Sequence, residues 1–262
     1  MLKIRIATAV VSLLLLAAVL FVVPGSGAKL IIALLVLAGA WEWSGFLGLS
    51  SNAGRGFYVL LIAALMALSY FVLPQHAELL LRVAVVWWFA AFIWTFFFPT
   101  PIPVLLRWLC GVLVLVPLFV ALLELYSFGA EILLFALFIV WAADIGAYFA
   151  GKQFGRVKLA PSISPGKTWE GVFGGLLAVA VLTVVWANWL NKDIAVFLPF
   201  CLAVGALSVI GDLTVSMFKR TAGVKDSGKL FPGHGGVLDR VDSVSAAAPL
   251  FALGLTWLGL AA

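Results

Sequence analysis

Residues 194–218, IAVFLPFCLAVGALSVIGDLTVSMF, run for 25 residues with a single charged side chain, Asp212. A helix needs about 20 mostly apolar residues to cross the hydrocarbon core of a bilayer, so this stretch reads as a transmembrane helix. An ionised carboxylate at that depth is costly unless it is paired, metal-bound or in a wet cavity. Asp212 therefore marks a site.

Runs of the same kind recur on both sides. The 262-residue chain is 65% hydrophobic and 10% charged, with a mean hydropathy of +1.22. Soluble globular chains have roughly a quarter of their residues charged, which excludes that class. The sequence predicts an all-α polytopic membrane protein, a single integral membrane domain over residues 1–262. Nine transmembrane helices are expected, at roughly 1–23, 28–48, 56–73, 77–98, 103–123, 131–150, 170–190, 194–218 and 243–261. Breakers separate them: Ser51-Asn52-Ala53-Gly54, Pro74-Gln75, Pro99-Thr100-Pro101 and Ser127-Phe128-Gly129. The first run exceeds the usual core of a secretory signal and lacks a clear small-x-small cleavage pattern, so it reads as a retained helix.

A net charge of +5 and a pI near 9.4 would suit a nucleic-acid partner, but the charges follow topology instead. With a cytoplasmic N-terminus, 13 of the 16 cations fall on the cytoplasmic side; Lys29, Arg82 and Lys192 are the exceptions. The positive-inside rule then puts the C-terminus on the opposite side and both large polar loops, 151–169 and 219–242, in the cytoplasm. No nucleic acid is implied. Cys110 and Cys201 fall singly inside apolar runs and read as packing residues, and most of the 11 tryptophans read as interface belts or packing.

Residues 1–140 are hydrophobic spans with little chemistry, whereas 141–262 carry both polar loops and read as the catalytic half. In the second loop, SMFKRTAGVKDSGKLFPGHGGVLDRVD at 216–242, cations alternate with carboxylates around a glycine-rich turn. Lys and Arg offset phosphate charge, glycine amides can approach phosphate oxygens, and aspartate oxygens suit hard cations. The first loop holds Gly166-Lys167-Thr168, part of a phosphate-binding loop, without the upstream glycine spacing or a preceding strand that would complete one.

Helical spacing gives the intramembrane acids a direction. Asp212, Ser216 and Lys219 share one face, and Asp144, Tyr148 and Lys152 repeat that arrangement. Asp239 and Asp242 would project side by side if the last helix begins near Leu238, where one divalent cation could use both; as first-turn acids they would equally suit the helix dipole. Glu42 lies near an interface and reads as structural. Glu170 reads as a first-turn helix acid.

Three segments together resemble the phosphatidate cytidylyltransferase (CDP-diacylglycerol synthase) family. They are Ser216-x-x-Lys219-Arg220 through Lys225-Asp226-Ser227-Gly228 and Phe231-Pro232-Gly233-His234-Gly235-Gly236-x-x-Asp239-Arg240-x-Asp242, then Ala143-Asp144-Ile145-Gly146-Ala147-Tyr148, and Ser164-Pro165-Gly166-Lys167-Thr168-Trp169-Glu170-Gly171. The resemblance implies an enzyme of the cytoplasmic membrane, often dimeric, that joins CTP to phosphatidic acid with magnesium, with room for a second metal or a monovalent cation. On that basis Asp212, Asp239, Asp242 and Asp144 are expected to hold metal, with Lys219, Arg220, Lys225 and Arg240 on phosphate oxygens. His234 would donate to a phosphate or protonate pyrophosphate. Ser216, Asp226, Gly235, Gly236, Lys152, Lys167, Ser164 and Thr168 would surround the substrates, the last three at the nucleotide entrance.

Two other readings use the same residues. A CTP-using lipid kinase would pass on the γ-phosphoryl group and leave CDP. An ion-coupled transporter would carry protons or sodium on Asp144 and Asp212, but it would call for paired repeats and broken helices that the sequence lacks.

Overall fold

The computed structural model describes residues 2–190, 192–230 and 235–259. Among these lie nine α-helices: α1 (Leu2–Phe21), α2 (Gly25–Ser44), α3 (Asn52–Ala67), α4 (Ala77–Thr95), α5 (Val104–Phe128), α6 (Ala130–Phe154), α7 (Trp169–Leu190), α8 (Ile194–Thr221) and α9 (Leu238–Trp257). Each falls on one of the nine expected spans. The seven from α2 to α8 are long and apolar enough to cross a membrane, so the chain is a multi-pass membrane protein.

Local chemistry sets several helix starts. Ser51 Oγ accepts the Gly54 amide at the start of α3, and the Asp193 carboxylate accepts the Ala195 amide at the start of α8. Pro24 and Pro103 stand just before α2 and α5. Gly129 turns the chain between α5 and α6 at φ 141°, a region that side chains strongly disfavour.

Helix α5 runs through the middle of the bundle, with 72% of its span buried, against 22% for α3 and α4 at the edge. Phe135 of α6 stacks on Trp186 of α7 and on Phe197 of α8, while Phe251 of α9 stacks on Phe200 of α8. Helices α6 and α7 approach each other closely. A β-carbon on Gly146 would meet Gly174 O at 2.7 Å, and one on Gly175 would meet Ala143 O at 2.6 Å. Small residues permit such an approach, and between helices in a membrane backbone proximity substitutes for the hydrophobic drive that water would supply.

Side-chain bonds tie helix ends to neighbouring connectors. Trp43 Nε1 donates to Arg107 O and Arg107 Nη1 to Phe46 O, each at 3.0 Å, which joins the end of α2 and its connector to the first turn of α5. Arg220 Nε donates to Ile163 O at 3.1 Å, which joins the end of α8 to the loop after α6.

Three boundaries depart from the sequence reading. The 151–169 loop contains a two-stranded antiparallel hairpin, β1 (Lys158–Ala160) and β2 (Ser164–Thr168), in which Lys158 pairs with Thr168 and Ala160 with Ser164. Gly166-Lys167-Thr168 is thus in a strand. Its open end is fastened where the Val157 amide donates to Glu170 at 3.1 Å, so Glu170 is both a first-turn acid and an anchor for the hairpin. Helix α8 runs on to Thr221, which makes Lys219 and Arg220 helical, and α9 starts at Leu238, five residues before the expected apolar span. That polar first turn enters the bundle because its charges find partners there.

Candidate active site

Lys219 organises the site. On the last turns of α8 its ammonium lies 2.8 Å from Asp239 and 3.7 Å from Asp242, one turn apart at the start of α9. The Lys219 and Asp239 side chains are only 9% and 6% exposed, and a cation so desolvated must be paired to stay charged. Starting α9 at Leu238 places Asp239 and Asp242 side by side, as the i, i+3 spacing requires.

The other Asp239 oxygen accepts two amides, Ser227 and Gly236, each at 2.9 Å. Three donors therefore converge on Asp239, and they close the 222–237 loop onto the helix that follows it. Asp242 is less committed. One of its oxygens accepts its neighbour Ser243 N at 2.8 Å, and among the described residues the other has only the longer contact to Lys219.

A second pair lies beside the first. Lys167, from β2, places its ammonium 2.7 Å from Asp212 in α8, and Ser216 Oγ, one turn on, donates to the same carboxylate at 3.0 Å. These side chains keep 24% and 27% exposure, so this pair is open to a ligand where Lys219–Asp239 is not. Asp212 interacts electrostatically with Asp242, and Asp144 on α6 interacts with Asp212, Lys167 and Arg240. Four acids and two lysines from α6, β2, α8 and α9 thus share one region.

Residues 3–258 match the cytidylyltransferase family. The chain belongs to that family. It is 42% identical over 266 residues to the phosphatidate cytidylyltransferase of Pseudomonas aeruginosa, covering 98% of this chain and 97% of that one. It is 38% identical over 280 residues to the enzyme of the same name from Haemophilus influenzae, covering 96% and 97%. A phosphatidate cytidylyltransferase of Synechocystis is 49% identical over 130 residues, 48% of this chain and 44% of that one. The match to the cytidylyltransferase family thus extends through the first 140 residues, where the sequence showed only hydrophobic spans.

The other expected residues of this cytidylyltransferase are exposed or have partners of their own. Arg240, Lys225 and Lys152 are exposed, and Lys152 Nζ lies 5.8 Å from the Tyr148 ring centroid. Ser164 opens β2 and is half-buried. Two residues have structural work as well. Arg220 spends its donors on Ile163 O and Val224 O, fastening hairpin to loop. Thr168 is buried and its Oγ1 accepts the Gly171 amide, capping α7. Gly235 and Gly236 line the loop over Asp239, and Asp226 is exposed on the wall of a cavity. His234 lies outside the described residues.

That cavity, about 700 Å³, is lined by Trp41, Glu42, Arg55, Asp226, Ser227 and Lys229, among others. Ser227 is the wall it shares with the acid cluster, through its amide bond to Asp239. Glu42, which reads from the sequence as structural, has its structural partners in this loop, accepting Ser227 Oγ at 2.7 Å, Leu238 N at 2.8 Å and Val237 N at 2.9 Å. The same depth argument that singled out Asp212 applied to it.

Among the described residues no three His, Cys, Asp or Glu side chains form a ready metal-binding group. The donor chemistry nonetheless fits a hard cation: Asp212, Asp242 and Asp144 offer carboxylate oxygens in one region, and the lysine ammonium ions on Asp212 and Asp242 can be drawn away by a ligand. Asp239, with three donors, is the carboxylate least free to join them.

Proposed function

We propose that this protein is a phosphatidate cytidylyltransferase, making CDP-diacylglycerol and pyrophosphate from CTP and phosphatidic acid at the cytoplasmic face of the cytoplasmic membrane. One observation carries the reading: Lys167 and Lys219, brought by a hairpin and a membrane helix, stand against Asp212, Asp239 and Asp242 at the end of the bundle that also bears the glycine-rich loop. Relatives that align over nearly the whole chain bear this name.

A phosphate oxygen of phosphatidic acid attacks the α-phosphorus of CTP. The bond from that phosphorus to the β-bridging oxygen breaks, and pyrophosphate leaves with the electron pair. The nucleophile is already an anion, so no covalent enzyme intermediate is called for. The work left to the protein is to hold two polyanions together and to offset charge moving to the leaving group.

Lys167 suits this because its present partner, Asp212, is partly open: an arriving phosphate competes for the ammonium, and Asp212 is released for a cation. Lys219, buried between two aspartates, fixes the first turn of α9. Arg240, next after Asp239 in α9, and Lys225, two residues before Ser227, are exposed and free to take up phosphate charge. Asp212, Asp242 and Asp144 are the residues that would hold magnesium, which when bound neutralises phosphate oxygens and supports the departing charge.

The test is purified protein in detergent with α-labelled CTP, phosphatidic acid and magnesium. Label extracted with the lipid is the expected result. Label that stays in soluble CDP while the lipid gains phosphate means a kinase, and label that stays in CTP overturns the reading.

A further inference from the structure

We propose that Glu42, in the second helix, is a positioning residue for the loop that binds the substrates. The inference goes beyond the proposed reaction by giving the N-terminal spans a part in it, and for its kinetic arm it rests on that reading.

The Glu42 carboxylate reaches a segment up to 196 residues away in sequence. One oxygen accepts Val237 N; the other accepts Leu238 N and Ser227 Oγ. The first turn of a helix leaves amides without intrahelical partners, and α9 has no side-chain cap of its own at Val237. Glu42 supplies that cap from another helix, and its negative charge sits at the positive end of the α9 dipole.

Its reach is built into the loop. A β-carbon on either Gly228 or Gly236 would overlap the Glu42 carboxylate, so the two glycines form a cradle whose occupant is this side chain. Gly236 also gives its amide to Asp239, and Ser227 gives its amide to Asp239 while its hydroxyl goes to Glu42. Ser227 and the start of α9 are thus clamped between Glu42 and Asp239, the partner of Lys219. Lys229 lies between the clamped points, Lys225 and Asp226 directly precede the first and Arg240 follows the second, so loss of Glu42 frees the segment that carries the residues that meet phosphate without touching the reacting atoms.

The experiment is Glu42→Gln in the full chain, read by amide hydrogen exchange and by cytidylyl transfer. Gln must turn its NH2 toward at least one donor, which removes one or more charge-assisted bonds. Exchange of the Ser227, Val237 and Leu238 amides should quicken by roughly 10- to 100-fold while α5 and α6 stay protected. kcat/KM for CTP should fall at least about tenfold at an unchanged melting temperature, with partial recovery in Glu42→Asp, which keeps both oxygens. Wild-type exchange in Glu42→Gln overturns the proposal, as does a loss of activity that only follows a loss of fold. If Glu42→Gln does not fold, Ser227→Ala decides: faster exchange at Val237 and Leu238 supports the clamp, and unchanged exchange overturns it. A wild-type protein that transfers no cytidylyl group would sink the proposed reaction, and the exchange result would still judge Glu42.

Discussion

Lys167, on the second strand of a small hairpin, sets its ammonium 2.7 Å from the carboxylate of Asp212, inside a membrane helix. The hairpin is fastened at its edges by Arg220 and Glu170, so the lysine is delivered to the acid by backbone that cannot readily swing away. The second pair, Lys219 with Asp239, is formed wholly between helices and is shut from solvent. The two pairs therefore divide the work: one is poised to exchange partners, the other holds the helix that carries Asp242.

Replacing Lys167 with Met should show the first role. Asp212 would lose its cation partner but remain partly solvated, so folding should be little affected, within about 1 kcal/mol. Turnover should fall by roughly 100-fold or more, because a charge aimed at phosphate is lost in a site of low dielectric. Lys167→Arg should retain part of it. Initial rates of cytidylyl transfer set beside thermal unfolding in detergent check both halves, and a variant with normal rates would remove Lys167 from the reaction.

Asp239→Asn should have the opposite profile. Removing one partner of a buried pair costs about 3–5 kcal/mol, since Lys219 is left with only the longer contact to Asp242. The apparent melting temperature should drop by roughly 10 °C. Thermal unfolding followed by tryptophan fluorescence reads this directly, and a stability equal to wild type would mean that Asp239 is not the fastening point.

Much of this architecture was open to a reader of the sequence because the bilayer imposes one length on every span. Nine apolar runs gave nine helices, and Asp212 and Asp144 stood out because a carboxylate has no cheap place among lipid tails. The hairpin at 158–168 was hidden, as its strands are short and carry Lys158, Lys167, Pro165 and Gly166 instead of alternating apolar residues. Glu42 reads as structural, but its partners, Ser227, Val237 and Leu238, are nearly 200 positions away and no periodicity links them to it. The two glycines that make room for it read as turn formers until the carboxylate is placed between them.

Metal dependence should separate the acids that share the site. Chelation should abolish transfer, and added magnesium should restore it. Asp212→Asn and Asp242→Asn should each raise the magnesium concentration for half-maximal rate by about tenfold or more, because each removes a carboxylate oxygen from a hard-cation site. Asp239→Asn, its oxygens already committed to three donors, should shift that concentration much less. Equal shifts in all three variants would mean that Asp239 belongs among the ligands.

The spacing between Asp212 and Asp242 can be changed without altering any charge. Gly211 precedes Asp212 on α8, and a β-carbon there would lie 2.5 Å from Asp242 O, 2.9 Å from Ala246 Cβ and 3.3 Å from Ser243 Cα, all on α9. Backbone atoms cannot rotate aside, so Gly211→Ala must push the two helices apart by several tenths of an ångström to about 1 Å. Overpacking of that kind costs about 1–3 kcal/mol. The catalytic loss should be larger than the stability loss suggests, on the order of 100-fold, because a displacement of about 1 Å is enough to spoil the alignment of reacting groups. A Gly205→Ala control, whose added carbon would have side-chain atoms of Val179 and Leu176 as its nearest neighbours, at 3.1 Å and beyond, should keep near-normal rates. If both alanine variants lost activity in proportion to stability alone, the approach of α8 to α9 would be a packing feature with no bearing on how the two carboxylates are set.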